Sequence, residues 1–204
     1  DPLKICDQVM IFKRLIREAA MQHGIYATFL AKPLEDQPGS AMHWHISLVD
    51  DESGENVFSD SKKETEIFKS FIAGLQQFTS ESILFNAPYV NSYRRFQRFQ
   101  NAPINLCWGY DNRTTGLRVP TSSPENKRVE FRIGGADVNP YLSNLTDRAE
   151  WRTHNKITDR EKAFEYIRIN EGFGSDRSIM RFNNLIETDF IVLDQNGDYV
   201  SIIP

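Results

Sequence analysis

The chain has 204 residues, 40% of them hydrophobic and 25% charged, with a formal net charge of −4. These are values of a globular chain with a packed core, and basic residues spread along the whole length exclude an electrostatic footprint for nucleic acid or anionic lipid. No run of about 18 apolar residues is present to span a membrane, and Cys6 and Cys107 form no CxxC pair, which sets aside zinc and thiol-redox chemistry.

Two buried free thiols are expected instead. The opening Asp1-Pro2-Leu3-Lys4 lacks a basic-then-apolar signal pattern, so a reducing, cytoplasmic home is the expectation. Over residues 7–23, Val9, Met10, Phe12, Leu15, Ile16, Ala19 and Ala20 recur at three and four positions, the stripe of a helix with Asp7 as N-cap and Gly24 as stop. Residues 25–31, rich in β-branched and aromatic side chains, predict a strand. A polar loop over 34–40 leads to a second strand starting at Ala41. A second helix is expected over about 62–79, with Ile67, Phe68, Phe71, Ile72, Leu75 and Phe78 inward. Residues 86–98 read as loop or short helix.

Short apolar or alternating runs at 104–110, 116–119 and 128–133, separated by turn residues, predict antiparallel strands. The fold class is therefore α+β, an antiparallel sheet flanked by helices. Beyond residue 142 the texture changes: 146–164 is dense in charge, and Asn196-Gly197 marks a hairpin within 189–203. The chain divides into a region over 1–142 and a divergent segment over 143–204 whose continuity with the first the sequence leaves open.

Three constellations carry chemistry. In Gly39-Ser40-Ala41-Met42-His43-Trp44-His45-Ile46-Ser47-Leu48, strand alternation puts His43, His45 and Ser47 on one face and the apolar residues on the other. In Arg128-Val129-Glu130-Phe131-Arg132-Ile133 it separates Arg128, Glu130 and Arg132 from three apolar residues. Neutral imidazole and carboxylate suit a divalent cation, and the planar guanidinium suits phosphate or carboxylate. Taken alone, each pattern is also that of a polar strand face turned to solvent. The third constellation is a series of arginines in apolar surroundings, Arg94, Arg95, Arg113 and Arg118. Such a count suits phosphoryl transfer, which is catalysed largely by positioning and charge neutralisation. No GxxxxGK[ST] and no GxGxxG is present, which sets aside a P-loop and a Rossmann crevice.

In order along the chain, Lys32-Pro33, the histidine motif at 39–48, Asn91-Ser92-Tyr93-Arg94-Arg95, Ala102-Pro103, Asn112-Arg113-Thr114, Leu117-Arg118-Val119-Pro120, Arg128-Val129-Glu130-Phe131-Arg132 and Asn139-Pro140-Tyr141-Leu142 resemble the glutamine synthetase superfamily. The wording at 108–114 and at Gly134-Gly135-Ala136-Asp137 is more similar to the branch that joins glutamate to amines, such as putrescine and other polyamines, than to the ammonia-using branch.

The resemblance implies an ATP-dependent ligase with Mg²⁺ or Mn²⁺ as metal and ATP as co-substrate. Glutamate's γ-carboxylate attacks the γ-phosphoryl of ATP, and an amine then displaces phosphate from γ-glutamyl phosphate. By position, it gives the metal to His43 and Glu130 and the nucleotide to His45, Ser47, Arg113, Arg118 and Arg128. Arg113 is also matched to a catalytic position at the transferring phosphoryl, and Gly39, Arg95 and Arg132 fall around glutamate. It further implies a ring-shaped homo-oligomer and metal-ligating glutamates upstream of these residues. Asn101 stands where the ammonia-using enzymes carry a flap glutamate, and an amide cannot act as that base. Two other readings stay open: an ammonia-using glutamine synthetase, and a catalytically silent relative with a structural or regulatory role.

Overall fold

The structure is a computed structural model. It describes residues 2–50, 52–60, 63–97 and 102–144, together with the backbone of four strands between 178 and 200. In chain order the elements are α1 (Pro2–Gln22), β1 (Tyr26–Thr28), β2 (Met42–Asp50), β3 (Ser59–Asp60), β4 (Lys63–Glu64), α2 (Glu66–Phe78), α3 (Ile83–Asn86), α4 (Val90–Tyr93), β5 (Trp108–Tyr110) and β6 (Leu117–Val119). They continue with β7 (Val129–Phe131), β8 (Ser178–Phe182), β9 (Glu187–Thr188), β10 (Ile191–Leu193) and β11 (Tyr199–Val200).

Helix α1 begins at Pro2, whose fixed φ suits a first turn. The expected cap, Asp7, therefore lies inside the helix, where its Oδ1 accepts from the Tyr141 hydroxyl at 2.5 Å. The stop is where it was expected: Gly24 takes φ 69°, a left-handed conformation that glycine adopts without steric cost. Ile5, Cys6, Val9, Lys13 and Ala20 are buried, whereas Met10 and Leu15 of the expected stripe are exposed. Apolar residues occur around much of this helix, so periodicity located the helix without selecting its inward side.

Lys13 is the unusual member of that inward face. Its Nζ donates to the Val138 carbonyl at 3.2 Å, and burial lowers its pKa to about 8, with Asp137 pulling it back up and Arg17 pushing it down. Because its folded pKa lies below the unfolded value, the unfolded chain binds this proton more tightly, and stability rises as pH climbs from about 8 to 10.5. The Lys13→Met variant is expected to lose that rise, read as the difference between the two proteins' thermal midpoints across the window.

Helix α2 starts later than its periodicity implied. Thr65 caps it, its Oγ1 accepting from the Phe68 amide at 3.2 Å, and residues 63–64 are spent on the β3–β4 hairpin. Phe68, Phe71, Ile72 and Leu75 are buried, with Phe58 edge-on to Phe68 at 5.5 Å, while Ile67 is exposed and Phe78 half-buried.

The central sheet runs β5-β6-β7-β2-β8, with β9 also pairing β2. Strands β2 and β7 are antiparallel in the register Trp44↔Phe131, His45↔Glu130 and Ile46↔Val129, and β6 continues the sheet with Arg118↔Glu130. One face of these strands, Met42, Trp44, Ile46, Leu117, Val119, Val129 and Phe131, forms a single core with α2 and with Ile5 and Val9 of α1. Truncating one of its aromatic members to alanine costs about 3–5 kcal/mol.

The expectation of antiparallel strands throughout is corrected at the edge: β5 and β6 are parallel. Asp111, at the start of the 111–116 loop that joins them, takes φ 46°, in the left-handed region that aspartate tolerates. Cys107, expected to be buried, is exposed just before this edge strand, while Cys6 is buried as expected. At the far end β10 and β11 pair antiparallel around the predicted Asn196-Gly197 turn, whose residues lie outside those described, and β10 also pairs β1. Among the described residues no helix is long and apolar enough to cross a membrane.

Candidate active site

The face of the sheet opposite the core is built by the alternation that buries Trp44 and Phe131. With those rings turned inward, His43, His45, Glu130 and Arg132 must emerge together on the other side, and Arg118 joins them from β6. His43 and His45 are 5% and 4% exposed and Glu130 is fully buried, so this face is not a solvated one.

Glu130 is the hub. His43 Nδ1 lies 3.2 Å from its Oε1, Arg118 Nη1 donates to its Oε2 at 2.7 Å, and Arg132 Nη1 donates to its Oε1. Arg132 Nη1 is also 3.5 Å from His43 Nδ1, and Arg128 Nε donates to His45 Nδ1 at 3.2 Å. Arg118 reaches outward as well, with Nη2 donating to Asp111 Oδ1 at 3.1 Å. Burial pushes the Glu130 carboxyl up, but the hydrogen bonds from His43 and Arg118 and the charge of Arg132 outweigh it and hold the group well below the usual carboxylate range. Glu130 is therefore ionised.

Arg118, Arg128 and Arg132 together outnumber the carboxylates of Glu130 and Asp111, leaving a surplus of positive charge on this face. Arg118 Nε and Arg132 Nε are buried and have no hydrogen-bond partner among the described residues. Buried donors of that kind fit an anionic oxygen, from a phosphate or a carboxylate, as partner.

The same residues offer ligand atoms to a divalent cation. His43 Nδ1 and Glu130 Oε1, 3.2 Å apart, have the spacing of neighbouring ligands on one ion with bonds of about 2.0–2.2 Å. Among the described residues no group of three or more His, Cys, Asp or Glu side chains gathers around an ion position, so the pair fits as part of a coordination sphere.

A family model, "Glutamine synthetase, catalytic domain", matches residues 1–144. The chain belongs to the glutamine synthetase catalytic-domain family. It is 46% identical over 141 residues to a γ-glutamylputrescine synthetase of Escherichia coli, covering 69% of this chain and 30% of that protein. It is 40% identical over 143 residues to a glutamine synthetase of Pyrococcus woesei (70% and 32%) and 41% identical over 144 residues to a type-1 glutamine synthetase of Dictyostelium discoideum (69% and 27%). The chain thus spans about a third of the length of these curated relatives, and its α+β architecture is part of a glutamine-synthetase-type catalytic domain.

Not every residue that the family pattern singles out stands in the cluster. Arg113 is exposed on the 111–116 loop, with no hydrogen bond or ion pair among the described residues. Ser47 lies on the histidine face of β2, 3% exposed, past the end of the β7 pairing and opposite β8. Arg95 is 3% exposed and gives Nη1 to the Ile133 carbonyl at 2.7 Å and Nη2 to the Arg132 carbonyl at 2.9 Å. Gly39 packs beneath it: a Cβ there would come within 2.6 Å of the Ala31 carbonyl oxygen and 3.0 Å of Arg95 Cγ, so only glycine fits. Asn101 lies outside the described residues.

Asp111 belongs to the site and was not anticipated. It anchors Arg118 from outside, and its own carboxylate accepts from the Thr121 hydroxyl and amide, which hold its pKa below the usual value. Its sequence signal is weak, because Asp before Asn marks a turn in many loops.

Proposed function

We propose that this chain supplies the glutamate- and phosphate-facing wall of an ATP- and metal-dependent ligase that joins the γ-carboxylate of glutamate to an amine through γ-glutamyl phosphate. The observation that carries this reading is the buried, ionised Glu130 shared by His43, Arg118 and Arg132. Such a centre has no structural necessity, since a well-packed apolar group of like volume is commonly as stable as a buried ion cluster. It does suit a reaction in which a carboxylate must approach a triphosphate.

In this reading Arg118, Arg128 and Arg132 offset the repulsion between the two anions, His45 and Ser47 orient the nucleotide, and Gly39, Arg95 and Arg132 border the glutamate. The exposed Arg113 is assigned to the transferring phosphoryl on the family pattern. His43 and Glu130 would hold a Mg²⁺ or Mn²⁺ ion, which supplies charge neutralisation at the carboxylate and phosphoryl oxygens. The ring-shaped homo-oligomer is part of the same proposal, checked by native mass.

Support for an amine nucleophile comes from Asn101 in place of the flap carboxylate and from the γ-glutamylputrescine synthetase relative. Ammonia is the second reading, favoured by relatives near 40% identity that bear the name glutamine synthetase. A panel of monoamines, polyamines and ammonium with ATP and Mg²⁺, scored by phosphate release from the full-length protein, separates them. An amine is expected to give the highest kcat/KM, because its alkyl chain and remote groups provide binding energy for positioning that ammonium lacks. Asn101→Glu is expected to shift the ratio toward ammonium by restoring a base. Ammonium as the best substrate of the unaltered protein would replace the amine reading with the second one. No turnover of any nucleophile would favour a silent relative.

A further inference from the structure

Residues 91–95 tie together three segments that border the site. Asn91 brackets Lys32 at two points: its Nδ2 donates to the Lys32 carbonyl at 2.7 Å, and its Oδ1 accepts from the Lys32 amide at 2.9 Å. Ser92, 2% exposed, donates to Asp137 Oδ2 at 2.6 Å and accepts from the Tyr89 amide at 3.0 Å. Arg95 holds the carbonyls of Arg132 and Ile133 just past the end of β7.

The three segments also touch one another. The Ser40 amide donates to the Ala31 carbonyl at 2.9 Å, closing the base of the 32–40 loop, and the Ala136 amide donates to the Ser40 carbonyl at 3.1 Å. Gly39, inside that loop, lies directly under the Arg95 methylenes. The loop that presents Gly39, the 134–137 turn and the backbone of Arg132 are thus braced against one short helix. The β2–β7 pairing that brings His43 and His45 to Glu130 meets this frame at one end, where the Met42 amide donates to the Gly134 carbonyl at 3.0 Å, and beyond that point it is held by its own register. Neither Asn91 nor Ser92 brings a charge or a base to the cluster. What they supply is geometry.

We propose that Asn91 and Ser92 are positioning residues for the glutamate side of the site, holding the 32–40 loop and the 134–137 turn against α4 so that Gly39 and Arg132 keep a fixed separation. The assignment rests on the ligase reading above for the identity of the substrate. It separates two groups of variants. Loosening the frame should weaken glutamate while leaving the nucleotide residues His45 and Ser47 in place; the metal pair, which Arg132 touches, is not the readout. A hydrogen bond that only stabilised the fold would affect both substrates alike or neither.

The test uses the full-length protein with Asn91→Ala, Asn91→Asp, Asn91→Gln, Ser92→Ala and Ser92→Thr. For the two alanine variants, each of which loses two hydrogen bonds, the KM for glutamate is expected to rise about tenfold as part of that loss is expressed in binding, with the KM for ATP within about twofold. Ser92→Thr, which keeps the hydroxyl, should restore the glutamate KM. Asn91→Asp keeps the acceptor but sets a carboxylate oxygen against the Lys32 carbonyl, so it should raise the glutamate KM at least as far as Asn91→Ala. Asn91→Gln, which keeps donor and acceptor but displaces them, should lie between and serves if an alanine variant fails to fold. Equal changes in both KM values, or no change in either, would overturn the proposal.

Hydrogen exchange provides an arm independent of the chemistry. The Ser40 and Ala136 amides should lose protection in Asn91→Ala and Ser92→Ala while the amides of β7 and of β2 beyond Met42 keep theirs. If the unaltered protein shows no ligase turnover, the ligase reading fails, and exchange alone decides the clamp: faster exchange at Ser40 and Ala136 supports it, and unchanged protection overturns it.

Discussion

Replacing Glu130 with glutamine is expected to lower turnover by at least about 10³-fold and to reduce the thermal midpoint by about 6–20 °C. The side chain is fully buried and receives Arg118 on one oxygen and Arg132 on the other, with His43 beside them. Glutamine has almost the same shape but no charge, and its amide nitrogen would have to face one of these donors. Arg132 would then stay in the cluster without its counter-charge and Arg118 would keep only Asp111, and breaking a buried ion pair from one side costs about 3–5 kcal/mol. For a chain of this size that converts to a midpoint shift of the stated order. Loss of one preorganised charge at a reacting centre accounts for about 10²–10³ in rate, and weakened metal binding adds to it. Thermal unfolding and steady-state phosphate release measured on the same preparation check both parts. A variant within about 2 °C of the unaltered protein, retaining a tenth of its activity, would mean that Glu130 is a surplus buried charge with no part in the reaction.

The second large effect separates the two histidines, which sit two residues apart on one strand face yet have different neighbours. His43 lies against Glu130, whereas His45 accepts from Arg128. His43→Ala is expected to weaken Mn²⁺ binding by more than about 100-fold, since even indirect partners of metal ligands change affinity by about 10–100-fold. His45→Ala is expected to raise the KM for ATP about tenfold with Mn²⁺ affinity nearly unchanged. Calorimetric titration with Mn²⁺ alone, followed by ATP kinetics at saturating metal, reads the two effects separately. Equal losses of metal affinity in both variants would contradict the division of labour. They would point to one site formed by the whole histidine face.

The fold and the cluster were legible in the sequence wherever a single period governed both burial and chemistry. On β2 and β7, alternation alone placed Trp44, Val129 and Phe131 in the core and His43, His45, Glu130 and Arg132 on the opposite face, and the structure has them there. Periodicity was less informative where apolar residues covered several faces. In α1 it did not distinguish buried Ile5 and Lys13 from exposed Met10 and Leu15. Start positions failed for a local reason, because Thr65 competes for the cap of α2 through its side-chain oxygen. The parallel β5–β6 pair was hidden because two short runs joined by a turn-rich loop read the same in sequence whichever way they pair. Asn91 and Ser92 were visible as part of a motif, but their roles depend on contacts with residues 59 and 45 positions away in the chain, which no local pattern encodes.

Transfer of oxygen from glutamate to phosphate tests the central chemical proposal most directly. The full-length protein would be supplied with ATP, Mg²⁺, the best nucleophile from the panel and glutamate labelled with ¹⁸O in its γ-carboxylate, and the released phosphate analysed by mass spectrometry. If the carboxylate attacks the γ-phosphoryl and the nucleophile then displaces phosphate, the carboxylate oxygen that formed the bond to phosphorus leaves with it, and each fully labelled glutamate consumed yields one singly labelled phosphate. Unlabelled phosphate accompanying amide formation would contradict a γ-glutamyl phosphate intermediate, and with it the role proposed for the surface around Glu130.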